Sequence, residues 1–330
     1  MSRVNCTICG NSNISAIYKD YPGYVKGYYF DIYTCSVCNT NFISSENIDL
    51  NIYETIYSHE DLIGYDRYKF YADKVKKVNN PLKLLADFES TYYSVFKCLK
   101  KETPNNVLEV GCGLGYLTYA LNKQGINTIG IDISSNAINF AKNNYGNCYF
   151  NLDITNFRNI TKKKFDLIVA TELIEHLKEP VAFINECICL LNENGKILLT
   201  TPNKDFSMQN AIWQTDLPPV HTVWLSSKSF QFIADKLGLD VAYVAFKDYY
   251  PISENRLIKY LRSRTEYIQS SILATDGGIN NERLNIKFSK PHIVLRNIFH
   301  NIPPVRSVCN FFYNRFYGVD KCLAVILSRN

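Results

Sequence analysis

Three glycines, Gly111, Gly113 and Gly115, fall in the run VLEVGCGLGYLT, where an apolar stretch gives way to a helical pattern. Glycine leaves the backbone bare at such a turn, so a cofactor can press against it where side chains would obstruct. Glu109 precedes the glycines, at a place suited to holding an ammonium group through bound water or backbone. Asp132 ends TIGID, where a carboxylate can accept two ribose hydroxyls, and Asp153 ends CYFNLD, where it can accept from an adenine amino group. A second constellation is ATELIEHL, with Glu172, Glu175 and His176 at i, i+3 and i+4. If the chain turns helical there, all three side chains share one face. His221 lies further on, in DLPPVHTVW, behind two prolines that stiffen its loop. A neutral imidazole within reach of a hydroxyl can take its proton.

Four cysteines stand apart as two Cys-x-x-Cys pairs, Cys6/Cys9 and Cys35/Cys38, followed by the turn-forming Gly10 and Asn39. Each pair suits a tight knuckle, and residues 10–34 between them can fold as a hairpin that completes a tetrahedral zinc site. Two unrelated pairs or a redox motif are the alternatives, but redox motifs come singly beside a strand–helix unit. A closed four-thiolate site organises a small domain, because metal binding supplies its folding energy.

The elements that must position these groups follow from the hydrophobic pattern. NVLEV reads as a strand, YLTYALNKQG as a helix, TIGID as a second strand and SSNAINFAKNNYG as a Ser-capped helix. CYFNLD and FDLIVAT are the third and fourth strands, PVAFINECICLLNENG a helix stopped by Gly195, and KILLTT the fifth strand. SSKSFQFIADKLG is another capped helix, DVAYVAF a sixth strand, and KCLAVIL a last one. Strands alternating with helices of this length call for a parallel sheet covered on both faces. Ahead of this core, residues 46–103 are helical and tyrosine-rich, fit to pack on it or to lid its cleft. Residues 251–318 interrupt the rhythm with mixed basic and apolar helical segments. They could cap the acceptor pocket, make an oligomer interface or rest on anionic lipid, with helical capping the default.

The chain has 330 residues, 46% hydrophobic and 20% charged, which fits an ordinary globular protein rather than a disordered one. A net charge of +5 is only mildly basic and neither requires nor excludes RNA. The first residues lack the apolar run of a signal peptide and no stretch suits a membrane span, so the expectation is a reducing cytoplasm. There the eleven cysteines serve as metal ligands, catalytic groups or buried hydrophobes; Cys112, Cys187 and Cys189 read as the last kind.

The succession E-V-G-C-G-x-G, G-I-D, N-L-D-I and F-D-L-I-V-A-T-E, over roughly residues 104–250, resembles the class I S-adenosylmethionine-dependent methyltransferase family. The resemblance implies a Rossmann-like, seven-stranded, mostly parallel sheet whose last strand is antiparallel, with helices on both faces. It also implies S-adenosyl-L-methionine against Glu109, Gly111, Cys112, Gly113, Gly115, Asp132, Ile133, Asp153, Ile154 and Thr171. A nicotinamide dehydrogenase would more often show G-x-G-x-x-G, which this turn does not match. The expected organisation is a four-cysteine zinc domain over residues 1–45, a helical lead-in over 46–103, and a methyltransferase domain over 104–330 with its insertion at 251–318.

The E-x-x-E-H run with a distant histidine resembles the divalent-metal site of small-RNA 3′-terminal ribose methyltransferases and the E-x-x-E-H of ubiquinone-pathway O-methyltransferases. Carried over, Glu172, Glu175, His176 and His221 would hold Mg2+ or another divalent metal that gathers acceptor hydroxyls. Many family members carry Glu-His here without metal, as pocket-shaping residues. His221, Glu172 and His176 are the candidate catalytic groups, His221 as a base with or without metal. The cysteine knuckle joined to this core, with T-P-N and then P-P-x-H downstream, resembles bacterial sugar and surface-polysaccharide methyltransferases. That points to O-methylation of a sugar or nucleotide-sugar hydroxyl. RNA ribose methylation and a non-catalytic cofactor-binding protein stay open: a continuous Lys/Arg track to the cleft would favour RNA, and a closed aromatic pocket a small acceptor.

Overall fold

The alternation of apolar strands with amphipathic helices builds one seven-stranded sheet. The computed structural model describes residues 4–44, 52, 55–56, 62, 66–206, 212, 214–252, 256, 270–280, 303–316 and 320–329. In chain order the strands are β1 (Ile14–Pro22), β2 (Tyr29–Cys35), β3 (Asn41–Ile43), β4 (Asn106–Val110), β5 (Asn127–Asp132) and β6 (Tyr149–Asn151). They continue with β7 (Phe165–Thr171), β8 (Leu191–Pro202), β9 (Val223–Trp224), β10 (Leu239–Tyr243) and β11 (Cys322–Arg329). The large sheet runs β10-β11-β8-β7-β4-β5-β6. Its pairings are parallel except that β11 lies antiparallel to both neighbours, the arrangement expected for the terminal strand.

Both faces are covered, as the near-continuous apolar strands require. On one face Leu108, Ile168 and Ala170 pack with Phe183, Ile184 and Phe230. These come from helices α7 (Pro180–Leu190) and α8 (Ser227–Leu237). On the other, Val107, Leu167 and Val169 meet Leu117 and Leu121 of α4 (Tyr116–Lys123). The tyrosine-rich lead-in adds α1 (Asp66–Val75), α2 (Pro81–Phe88) and α3 (Ser90–Lys101) to that second face, where Tyr71, Leu85, Tyr92 and Val95 are buried.

Several boundaries differ from the sequence pattern. The helix expected to run to Gly195 ends at Leu190, and residues 191–195 extend β8 instead. Asn192 leaves the helix because its amide donates to Asp166 Oδ1 at 2.6 Å, and an irregularity between Phe165 and Leu167 absorbs the extra residues. After α5 (Ser135–Tyr145), α6 (Ile154–Ile160) is a helix that the strand pattern hid. Its cap is Asp153, expected at a strand end, whose Oδ1 accepts from Asn156 N at 2.7 Å. Of the cysteines expected to be buried, Cys112 and Cys187 are, whereas Cys189 is exposed. Its helix turns that face to solvent.

The N-terminal segment forms a second sheet, β1-β2-β3-β9, whose fourth strand comes from the loop after β8. Of the 251–318 insertion, Leu273 bridges Val25 and Ile279, and α9 (Pro303–Phe316) is helical. Most of its other residues, and residues 45–50 of the lead-in, lie outside those described. No helix among the described residues is long and apolar enough to cross a membrane.

Candidate active site

The glycine turn joins β4 to α4. Gly111, Gly113 and Gly115 take φ of 74°, 48° and 78°, the left-handed region that side-chain-bearing residues avoid. A Cβ on Gly115 would stand 2.6 Å from the Tyr149 ring and 2.7 Å from Ala141, so α4 can approach β6 and α5 only with glycine there. Asp132, buried at the end of β5, holds the turn in shape: its Oδ2 accepts from Gly113 N and its Oδ1 from Ser134 N, each at 2.8 Å.

Glu109, Gly111, Cys112, Gly113, Leu114 and Thr171 line one cleft together with Tyr68, Tyr92, Tyr116 and Glu172. Glu109 is 2% exposed, and burial pushes its carboxyl up to about 8, partly offset by the hydroxyl of Thr118, which donates to its Oε2. Burial holds the Cys112 thiol protonated. Ile133, next to Asp132, is 59% exposed at the rim, while Ile154 is buried under the first turn of α6. The sequence reading missed Tyr68 and Tyr92. Aromatic residues in the lead-in look alike in sequence, and only the packing singles out these two.

A second cavity of about 250 Å3 adjoins the first and shares Tyr68 and Glu172 with it. Arg67, Glu89 and Thr91 from the lead-in form its roof; Glu175, His176, Asp216 and His221 form its floor; Lys321 and Cys322 close one side. Among the described residues, the 251–318 segment contributes nothing to this lining. Charged groups dominate, with Glu89, Glu172, Glu175 and Asp216 against Arg67 and Lys321.

The expected helical face is absent. Glu172 takes φ 52°, and only Ile174–His176 form a single 3-10 turn, so the left-handed residue and this turn bring the acids together. A side-chain-bearing residue in that region stores backbone strain of about 1–3 kcal/mol. Glu172 Oε1 accepts from Thr91 Oγ1 at 3.1 Å and Thr200 Oγ1 at 3.0 Å, and Glu172 stands outside the tight cluster. Glu175, His176 and His221 form that cluster, with ligand atoms within 4.8 Å of one another.

His176 and His221 meet edge to face, ring centroids 4.7 Å apart. His176 Nδ1 lies 2.6 Å from Val220 O, which assigns the N–H to Nδ1 and leaves Nε2 with its lone pair. Among the described residues, neither carboxyl oxygen of Glu175 nor His221 Nδ1 has a hydrogen-bond partner, and all three atoms are buried. Buried polar atoms are rarely left this way, so the set is built to receive something. Burial raises Glu175, with Glu172 adding to the shift, and burial lowers His176 to about 4. Burial, then His176, keeps His221 neutral as well. Neutral imidazoles are the ligand form, and a divalent cation would bring Glu175 back to its anion. The donor set therefore fits a divalent metal, with three residues rather than the four expected.

The four cysteines also converge. Their sulfurs lie within 4.8 Å of one another, with Cys6–Cys38 at 3.5 Å and Cys9–Cys35 at 3.4 Å. Four thiolates at about 2.3 Å from one zinc ion stand about 3.8 Å apart, so the set fits zinc. A disulfide would need about 2.05 Å. The knuckles match: Gly10 N donates to Cys6 O at 2.8 Å and Asn39 N to Cys35 O at 2.9 Å, with Gly10 and Asn39 both left-handed.

A methyltransferase-domain family matches residues 87–244. A ubiquinone biosynthesis O-methyltransferase of Coxiella burnetii is 36% identical over 105 residues, covering 31% of this chain and 45% of that protein. A protein of the same name from Actinobacillus pleuropneumoniae is 31% identical over 107 residues, covering 30% and 46%. The chain thus spans about half the length of these curated relatives. Among solved structures, a plantazolicin methyltransferase in complex with S-adenosylhomocysteine aligns at 18% identity over 84% of this chain and 94% of that chain, with a TM-score of 0.44. An S-adenosylmethionine-dependent methyltransferase from Archaeoglobus fulgidus aligns at 20% identity over 71% and 93%, with a TM-score of 0.43. The matched segment, Asp87 to Val244, carries the glycine turn and the strand-end acids, and is similar in sequence to the methyltransferase-domain family.

Proposed function

We propose that the chain is an S-adenosylmethionine-dependent O-methyltransferase acting on a small hydroxylated acceptor. The observation that carries this reading is the pair of adjoining cavities sharing Tyr68 and Glu172, one floored by the glycine turn and the other by the Glu175/His176/His221 cluster. S-adenosylmethionine, when bound, supplies an electrophilic methyl group. Asp132 would accept the ribose hydroxyls, and Asp153, Ile133 and Ile154 would flank the adenine. Glu109 would face the ammonium, and Cys112 and Thr171 would line the wall beside it.

On the acceptor side, Glu175, His176 and His221 would hold a divalent metal, which supplies a lower pKa to a bound hydroxyl. His221 orients the acceptor. As a free base it is weak, because burial disfavours its protonated form and a general base works best near the ambient pH. Tyr68 and Tyr92 exclude water from the methyl donor.

The acceptor we favour is a sugar or nucleotide sugar, whose hydroxyls match a cavity lined by several carboxyl and imidazole acceptors. The names of the matched relatives favour a second reading, a phenolic hydroxyl of a quinone precursor. RNA fits less well, since the lining brings only two cations, Arg67 and Lys321, rather than a continuous basic track. Calorimetric titration with S-adenosylhomocysteine and separately with NAD, each with and without Mg2+ or Mn2+, tests the assignment. Binding of the homocysteine product alone supports it and leads to a methyl-transfer screen of nucleotide sugars and catechols; binding of NAD, or of neither, refutes it. Homocysteine binding with no transfer to any acceptor class would point to the non-catalytic alternative.

A further inference from the structure

The cysteine knuckle and the acceptor cluster, far apart in sequence, are built into one sheet. β3 begins three residues after Cys38 and pairs antiparallel with β9, in register Asn41↔Trp224 and Phe42↔Val223. His221 stands two residues before β9. The residue between them, Thr222, is a junction: Ile43 N donates to Thr222 O at 3.0 Å, and Thr222 N donates to Glu175 O at 2.8 Å. The Thr222 hydroxyl donates to Leu177 O at 2.8 Å. One residue thus ties the knuckle sheet to the backbone of Glu175 and to the peptide that presents His221.

A second link leaves the knuckle itself. Thr40 Oγ1 lies 3.2 Å from Cys38 Sγ and donates to Ser229 Oγ at 2.9 Å, and Ser229 Oγ donates to Cys38 O at 3.1 Å. Ser229 also closes the capping box of α8 with Ser226, just after β9. On the other side, Lys204 Nζ donates to Asn39 O at 2.8 Å, and Lys204 N donates to Leu225 O at 3.2 Å. Residues 222–229 are therefore held at Thr222 by β3, and at Leu225 and Ser229 by groups linked to Asn39, Thr40 and Cys38.

We infer that the four-cysteine site is a positioning device for the acceptor site: metal held by Cys6, Cys9, Cys35 and Cys38 fixes β3, and β3 fixes the Thr222 junction that sets His221 and Glu175. The inference rests on the proposed role of the Glu175/His176/His221 cluster, but the coupling is structural and is measured without turnover. The cofactor cleft makes none of these contacts. Its glycine turn is braced by Asp132 and Ser134, so it stands apart from the knuckle.

Hydrogen exchange read by mass spectrometry tests the coupling, comparing the full chain as purified with zinc, the same protein after 1,10-phenanthroline, and Ser229→Ala with zinc retained. The expected result is faster exchange, by tenfold or more, in peptides covering 217–226 and 172–177 as well as 4–44 when metal is removed. Peptides covering 106–116 should stay protected, and calorimetric affinity for S-adenosylhomocysteine should be unchanged. Ser229→Ala should loosen 217–226 while keeping one zinc per chain. Exchange confined to 4–44 would overturn the inference, since the junction would then hold without the knuckle. Exchange rising equally in 106–116 would also overturn it, because the metal would then stabilise the whole chain rather than position one wall. Absence of S-adenosylhomocysteine binding in the zinc-loaded protein, with the exchange pattern as expected, would refute the proposed function and leave the coupling standing.

Discussion

Asp132 accepts a hydrogen bond from the backbone N–H of Gly113, 2.8 Å away, although strand and turn are separated by the whole of α4. The same carboxylate takes Ser134 N on its other oxygen. It therefore braces the turn before any ligand arrives.

Asp132→Ala removes both contacts. The buried Ser134 N–H loses its partner, at about 1–3 kcal/mol, and the half-buried Gly113 N–H loses its own as well. S-adenosylhomocysteine binding should disappear by calorimetry while far-ultraviolet circular dichroism stays native. Asp132→Asn keeps the shape of the side chain and should fold more stably than Asp132→Ala, yet bind weakly. Wild-type affinity in either variant would displace the assigned cofactor cleft.

Glu109 gives the cleft a pH signature. Burial raises its carboxyl to about 8, so at neutral pH the ligand-free protein holds it mostly protonated. An ammonium group brought against it would lower that value, and binding must then release a proton. Affinity for S-adenosylhomocysteine should rise between pH 6 and 8, with a slope approaching about tenfold per pH unit. The sign for folding is opposite: a raised carboxyl stabilises below its unfolded value, and that share is lost as pH climbs through about 8. Calorimetry in buffers of different ionisation enthalpy counts the proton, and Glu109→Gln should abolish the uptake or release. A pH-independent affinity would show that Glu109 does not face the ammonium.

For the acceptor cluster, Glu175→Gln and His221→Ala should each lower methyl transfer by about 10²–10⁴-fold, the usual worth of an activating group. Binding of S-adenosylhomocysteine should persist. Burial lowers His176 to about 4, so its neutral form and any metal it holds should survive to pH values where an ordinary histidine has protonated. Its contribution to stability is complete above the unfolded value of about 6.5 and is lost as pH falls towards 4. Manganese titration at pH 5.5, followed by electron paramagnetic resonance, checks this. Equal Mn2+ affinity in wild type and Glu175→Gln would remove the metal from the mechanism.

The cysteine pairs predict one zinc per chain by elemental analysis. Cys35→Ser should lose it together with the order of residues 4–44, because a four-thiolate set draws the folding energy of its own small sheet from the ion. Protein that is free of zinc yet keeps residues 4–44 as ordered as the zinc-loaded form would contradict the site.

The strands of the core and its covered faces were legible because buried parallel strands are uniform apolar runs and the glycine turn has a fixed spacing; the antiparallel last strand came only from the family resemblance. The knuckles were legible for a similar reason, since Cys-x-x-Cys followed by Gly10 or Asn39 is local geometry. What the sequence hid was non-local or locally ambiguous. Asp153 ends an apolar run and also caps a helix, and only the backbone tells which role it plays. Glu172 and Glu175 share helical spacing, but the strand pulls Glu172 into a left-handed residue and separates it from the cluster. The two-residue β9 has no signature of its own; it is a strand because β3 pairs with it. Tyr68 and Tyr92 look like any tyrosines of the lead-in until α1 and α3 dock beside the glycine turn.

Arg256 and Asp320 close the acceptor side of the fold. Their side chains form a 2.9 Å ion pair, both 2% exposed, next to the start of β11 and Lys321. Arg256 Nη1 also donates to Phe246 O at 2.9 Å and to Asn314 Oδ1, while its guanidinium stacks on Tyr249 and Tyr313. Asp320 Oδ1 accepts from Cys322 N at 3.0 Å. One arginine thus binds the residues after β10, helix α9 and the entry to β11. Arg256→Met keeps the stem but strands a buried carboxylate, which should cost about 3–5 kcal/mol. Asp320→Asn in the Arg256→Met background removes that stranded charge and should recover part of the loss. Denaturant midpoints of the two variants and wild type check the order. Because Lys321 lines the acceptor cavity beside this pair, the single variant should also raise the acceptor KM more than it lowers kcat. An Arg256→Met protein as stable as wild type would mean that the ion pair adds nothing net to holding the insertion to the sheet.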